Sequence, residues 1–273
     1  SGALPEFPTD GFVNNVKTSQ HDDAVIFVAA DAHKNGDYTP YVFASSDQGA
    51  SWHSIAGDLP EDTVVWSIEQ DHVDPELLFI GAEYGVHVSV NGGQNWHKLA
   101  GAPPISFRDV VLHRQSEDLI GATFGRGLYV LDDYTALRHL NNDTLQAEAA
   151  LLPVRDAWWY VPHQTAQSEG QVTLGSTAFA ANNPDAGACF TYHLSTQALS
   201  AKKQRHEQEK AAVNDQSNIT WPGWDVLRDE HNTTDPRILL VVLDAHGQTV
   251  RRLAAETKPG LHRITWDLRL PAP

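Results

Sequence analysis

Apolar and polar positions alternate in short runs through the first 145 residues, and Gly, Asn, Asp and Ser separate the runs. Period-two alternation bounded by turn residues predicts half-buried strands. The clearest stretch gives four strands, a to d, at 64–70, 77–82, 86–89 and 96–99. The same order is expected after it at 107–113, 119–123, 128–131 and 137–140, and before it at 12–16, 25–29, 41–45 and 52–55. Beyond about residue 145 the spacing changes. Runs at 151–161, 188–194, 237–243, 249–253 and 262–268 predict strands of a small sandwich, with Asp244-Ala245-His246-Gly247 as a hairpin turn. Residues 195–213 combine strong helix formers with few apolar positions, which predicts one solvated helix capped by Ser195 or Thr196.

The strand units carry a sequence repeat. Ser45, Asp47, Gly49, Ser51 and Trp52 recur as Ser89, Asn91, Gly93, Asn95 and Trp96, and a degenerate third copy ends in Asp133. A repeat of roughly 40–45 residues built from four short strands is the signature of propeller blades. The expected fold is therefore all-β: a partial propeller of about three four-stranded blades over 1–145, then a sandwich over 146–273 with one helical insertion. Closed propellers have about four to eight blades. Three should leave two open sheet edges that nothing in this segment covers, so the remaining blades of the same full-length chain are the expected partners.

Composition narrows the classes. A formal net charge of −16 repels phosphate backbones and anionic lipid, so neither nucleic acid nor a membrane is an expected partner. One cysteine, Cys189, excludes an intrachain disulfide and is expected to be a core thiol; the absence of Met points to an excised segment. Nucleophile-elbow, P-loop and dinucleotide fingerprints are missing, and His21-Asp22-Asp23 lacks a second ligand cluster. No cofactor and no metal are expected.

The eight-residue repeat resembles the Asp-box, or BNR, repeat. The runs 77–85, 108–109 and 118–133 are similar to blade signatures of the large bacterial sortilin-like BNR-repeat proteins labelled glycosyl hydrolases. Segments 183–188 and 260–269 resemble that family's Ig-like module, which is similar to the one in flagellar hook-capping proteins. The resemblance implies a larger exported protein, periplasmic or extracellular. It also implies that the sandwich stops short at its C-terminal side. A peptide- or glycan-binding scaffold is the expected role, and a glycoside hydrolase of xyloglucanase or sialidase type is the alternative; whether the protein is an enzyme stays open.

Ser45, Asp47, Gly49, Trp52, Ser89, Asn91, Gly93, Trp96 and Asp133 read as folding devices: a side-chain oxygen satisfies turn N–H groups while a Trp fills the blade. Ligands are expected at the opposite end, on the b–c loops. These carry Asp31, His33, Asp37 and Tyr38, then Glu83 and Tyr84, then Phe124 and Arg126. Glycosidic chemistry needs paired carboxylates or an activated Tyr, and no complete set maps onto these loops. Elsewhere, one of Trp158 and Trp159 is expected in the core, and Trp221–Trp224 as a docking turn. Lys202, Lys203, Arg205 and Lys210 are expected on a solvated helix face.

Overall fold

The computed structural model describes residues 4–159 and 183–270, and the chain divides into two units, 1–140 and 141–273. The first unit is all-β and forms three successive antiparallel blades. Blade 1 comprises β1 (Phe12–Thr18), β2 (Ile26–Ala32), β3 (Asp37–Ser45) and β4 (His53–Ser54) in that order. Blade 2 comprises β5 (Val65–Gln70), β6 (Leu78–Ala82), β7 (Gly85–Ser89) and β8 (His97–Lys98). Blade 3 has only β9 (Phe107–His113), β10 (Asp118–Thr123) and β11 (Leu128–Leu131). The expected fourth strand at 137–140 is instead part of a 3-10 turn, Thr135–His139, which buries Ala136 and Leu137.

Alternation along each strand supplies both faces of a blade. Phe27, Ala29, Val42 and Ala44 of blade 1 meet Val65, Ile68, Leu78, Ile80 and Trp96 of blade 2. Phe79, Val86 and Val88, on blade 2's other face, meet Phe107, Val110, Leu112 and Leu119 of blade 3. Each Val, Leu, Ile or Phe among them contributes about 1.5–3 kcal/mol when fully buried.

The two outer faces of this stack differ. Blade 1's outer face (Val28, Ala30, Tyr41, Phe43) is covered by Leu4 and Phe7, and the Phe7 ring stands edge-on to Tyr41 at 4.9 Å. On blade 3 the outward row Val111, Ile120 and Val130, with Leu128 beside it, is partly or largely exposed.

Among its described residues the second unit has two small antiparallel sheets. One contains β12 (Ala149–Leu151), β13 (Ala188–Leu194) and β16 (Gly260–Trp266); the other pairs β14 (Ile238–Leu243) with β15 (Thr249–Ala255). The strand expected at 151–161 is confined to Ala149–Leu151, residues 152–159 carry no ladder, and 160–161 lie outside the described residues. Among the described residues three α-helices occur: α1 (Asn142–Gln146), α2 (Ala201–Asn214) and α3 (Trp224–Asn232). The solvated helix thus begins six residues later than expected. Neither Ser195 nor Thr196 caps it, and the capping position falls to Ser200. Its face is not wholly solvated either: Arg205 holds Glu230 of α3 at 2.8 and 3.0 Å and Glu209 at 2.6 Å.

The aromatic expectations are overturned. Trp158 and Trp159 are both exposed, because no ladder imposes alternation there, and Trp221 and Trp224 are exposed and stand edge-on to each other. Cys189 is half-buried in β13, not a core thiol. Among the described residues, no helix is long and apolar enough to cross a membrane.

Candidate functional site

Each blade of the first unit has a bulge in its innermost strand. The pairing register shifts at Asn14 in β1, at Trp66 in β5 and at Arg108 in β9. A bulge adds one residue to its strand and re-aims that side chain. All three bulges point these residues at the end of the neighbouring strand, where the b–c loops begin. Asn14 lies beside Asp31, Trp66 donates its indole N–H to Glu83 Oε2 at 2.9 Å, and Arg108 lies by Phe124.

These pairs join across the blades. The His33 ring packs edge-on against Trp66 with centroids 5.3 Å apart, and the Arg108 guanidinium sits over Trp66 at 3.5 Å and 5.4 Å from the Phe124 ring. Stacking of this kind contributes about 0.5–2 kcal/mol per contact. It fixes a side chain that otherwise loses much rotamer freedom on ordering. Arg108 is exposed and has no ion pair among the described residues. Trp66 is 7 % exposed and lies beneath Arg108, whereas Phe124 at 74 % and Tyr84 at 58 % are open to solvent.

Asp31 is 2 % exposed. Burial alone raises its pKa, but hydrogen bonds from the His33 ring, Asn14 and the His33 backbone amide outweigh burial and leave it below the usual carboxylate range. Its carboxylate holds His33 Nδ1, and among the described residues Nε2 has no hydrogen-bond partner.

The structure therefore brings Asp31, His33 and Glu83 together and leaves Tyr84 at the rim. Asp37 is placed elsewhere: its carboxylate accepts from the Tyr41 hydroxyl at 2.7 Å and the Thr39 amide at 3.0 Å, on the blade face that Phe7 covers. Arg126 sits exposed in the turn between Gly125 and Gly127 without an ion pair among the described residues; the basic group at the centre is Arg108. Trp66 and Arg108 were missed as candidates. The signal was the position each shares at the second or third residue of an a-strand, visible once the three units are superposed.

The opposite end of the blades is built differently. Ser45 Oγ accepts from Gly49 N at 2.8 Å, and Asp47 Oδ1 accepts from Ser51 N at 2.8 Å. Asp47's pKa falls to about 2 through the Ser51 hydroxyl, the Ser51 amide and the Ser45 hydroxyl. In blade 2, Ser89 and Asn91 make the equivalent bonds to Gly93 N (2.8 Å) and Asn95 N (2.9 Å). Trp52 Nε1 donates to Gly49 O, whereas Trp96 Nε1 reaches Ile55 O of the preceding blade at 2.9 Å. Gly93, at φ +89°, is needed there because a Cβ would meet Ile55 O at 2.8 Å. Asp133 instead accepts from Thr135 N at 3.2 Å at the start of the 3-10 turn.

A buried ion network ties blade 2 to blade 3 at this end. Asp71, fully buried, accepts from Tyr134 Oη at 2.6 Å and from Arg138 at 2.7 and 2.9 Å, and Arg138 also holds Glu117. Burial raises the Asp71 pKa, but Arg138 and Tyr134 outweigh it and bring it to about 2. Asp71, His72 and Glu117 place their donor atoms within 4.8 Å of one another, as a cation site would, and the cation that answers them is the Arg138 guanidinium. His21, weighed as a ligand, spends Nε2 on Asp71 O at 2.7 Å.

No protein-family model and no curated protein matches the chain. Solved structures similar to it include a GH74 enzyme of Niastella koreensis (13 % identity, TM-score 0.37, 44 % of this chain and 20 % of that one). An ancestral GH74 enzyme gives 20 % identity and TM-score 0.35 over 46 % of this chain and 17 % of that one. The GH74 xyloglucanase from Xanthomonas campestris gives 14 % identity and TM-score 0.34 over 44 % and 21 %. The chain thus spans about a fifth of the length of these structures.

Proposed function

We propose that this chain is part of a larger exported propeller protein and acts as a binding module. In this reading the b–c end of the blades captures a peptide or glycan, and the second unit serves as a scaffold. The observation that carries it is the convergence of three strand bulges on one strip, Asp31–His33, Trp66–Glu83 and Arg108–Phe124. Bulges recur next to functional sites, where they re-aim a side chain, and Arg108 is exposed with no ion pair among the described residues. Remaining blades of the same protein fit the outer face of blade 3. There Ile120, Leu128 and Val130 occupy positions equivalent to Phe79, Val86 and Val88, which blade 2 buries against its neighbour.

The alternative is a glycoside hydrolase. It needs two carboxylates free to act about 5–10 Å apart across a sugar. Asp31 is buried and committed to His33, and Glu83 accepts from Trp66, so this strip supports binding better than hydrolysis.

The test is a screen of the chain on immobilised peptides and glycans, with Arg108→Ala and Asp47→Ala as variants at opposite ends of the blades. Binding lost in the first and kept in the second supports the proposal. Binding unchanged in Arg108→Ala, or polysaccharide cleavage abolished by Glu83→Gln, overturns it.

A further inference from the structure

Blades 1 and 2 end their sheets in the same way. The short outer strands β4 and β8 pair with β3 and β7, and beside them Ile55 N donates to Val42 O and Leu99 N to Val86 O, both at 2.9 Å. The residues that do this repeat closely, as Trp52-His53-Ser54-Ile55-Ala56-Gly57 and Trp96-His97-Lys98-Leu99-Ala100-Gly101. Blade 3 has no such strand. Arg138 follows Asp133 at the distance at which Trp96 follows Asn91, and its segment folds instead into the 3-10 turn, with Tyr134 and Arg138 spent on Asp71.

This leaves β11 as a free edge, with β10 its only strand partner among the described residues. Thr123 N donates to Gly127 O at 3.0 Å, so antiparallel alternation turns the backbone groups of Tyr129 toward β10 and those of Leu128 and Val130 toward the edge. Leu128 O, the counterpart of Val42 O and Val86 O, has no donor among the described residues. The side chains beside it are uncovered too. Tyr129, the counterpart of buried Phe43 and His87, is 40 % exposed, and Leu99 is only half-buried, whereas Ile55, its counterpart beneath Trp96, is buried. Edge strands are ordinarily very short or carry Lys or Pro. His53–Ser54 and His97–Lys98 fit that rule, and Leu128–Leu131, longer and uncharged, does not.

We propose that the edge of β11 takes an extended segment of a partner protein, of the type Trp-His-x-Ile/Leu-Ala, as the fourth strand of blade 3. The segment's Ile or Leu N–H donates to Leu128 O, its His pairs with Val130 as His97 does with Val88, and its Trp covers Leu99 and Tyr129. Main-chain bonds supply affinity in such strand addition, and side-chain pockets supply specificity. Blades 1 and 2 specify the occupant, because residues of this type fill the same place in both. A second copy of the chain does not fit it, since both of its Trp-His segments are spent on β3 and β7. Binding at this edge does not depend on the strip formed by the three bulges.

Fluorescence anisotropy of a labelled peptide with the sequence of residues 94–101, titrated with the whole chain, tests it. The expected result is saturable binding with a dissociation constant below about 1 mM, and slower amide exchange at Val130 in the complex. N-methylation of the peptide's Leu99 nitrogen removes the donor to Leu128 O and keeps the side chain; it should weaken binding at least about tenfold, as should Trp96→Ala in the peptide. A scrambled peptide should not bind. Val130→Lys in the chain, checked for folding by circular dichroism, should abolish the signal. The peptide controls use the unaltered protein, so they decide the matter even if that variant fails to fold. No saturable binding up to about 1 mM, equal binding of the N-methylated or scrambled peptide, or full binding by folded Val130→Lys overturns the proposal. So does a dimer in sedimentation that Val130→Lys disperses, which would give the edge to a second copy.

Discussion

The blade end that carries residues 71–77 and 89–96 turns its charges inward, while the b–c end of the same blades leaves Arg108, Tyr84 and Phe124 facing solvent. At the first end Asp71 is answered by Tyr134 and Arg138, and the turn amides after Ser45 and Ser89 are answered by side-chain oxygens. At the second, Trp66 is held by Glu83 and His33 and carries an exposed arginine that has no ion pair among the described residues. The difference teaches a division of labour. Polar groups that satisfy one another fix register between blades, and polar groups held rigid but unsatisfied are what a ligand can use.

The largest effect that can break this comparison is at the inward end. Arg138→Ala leaves Asp71 buried without its cation, and the expected loss is about 3–5 kcal/mol in chemical denaturation. A loss below about 1 kcal/mol would mean that the network is incidental.

Acid probes the same end. With Asp71 near 2 in the folded chain and near 4 unfolded, its stabilisation is complete above about pH 4 and disappears as pH falls through 2, a loss of about 2–3 kcal/mol. The Asp71→Asn protein should therefore be less stable at neutral pH and lose less on acidification. An unchanged acid profile would contradict the geometry.

A smaller effect sharpens the account of the blade interior. His87 is buried, and burial followed by the charge of Lys98 lowers its pKa to about 4. The unfolded chain then binds the proton more readily, so stability should drop between about pH 6.5 and 4, by about 2 kcal/mol at pH 5. In blade 1 the equivalent position is Phe43. His87→Phe should remove this slope, seen as a pH-independent midpoint over that window.

The smallest stability effect is expected at the outward end: Arg108→Ala should change unfolding free energy by no more than about 1 kcal/mol. A loss as large as that of Arg138→Ala would erase the distinction between the two ends.

Much of the fold could be read from the chain, because the Ser–Asp–Gly–Trp spacing and strand alternation are local signals. All eleven described strands of the first unit overlap the expected runs, β5 through β11 most closely. The candidate strip was legible only in part. Asp31, His33 and Glu83 end second strands, where loops begin, but Trp66 and Arg108 sit on bulges, and a bulge breaks the alternation by which a strand's faces are assigned. The Asp71–Arg138 network joins residues 67 positions apart and has no local signature. The cover of blade 1 by Leu4 and Phe7 escaped notice because the segment has neither strand nor helix periodicity. Helix α3 was obscured by Trp221-Pro222-Gly223, which reads as a turn, although its cap is Gly223 itself.

The most direct measurement follows two indole N–H groups in one ¹⁵N spectrum while a ligand found by the peptide and glycan screen is titrated in. The account predicts that Trp66 Nε1–H, next to Arg108 and Glu83, shifts with ligand while Trp96 Nε1–H, at the opposite end on Ile55 O, stays in place. Movement of Trp96 with Trp66 unchanged would contradict it.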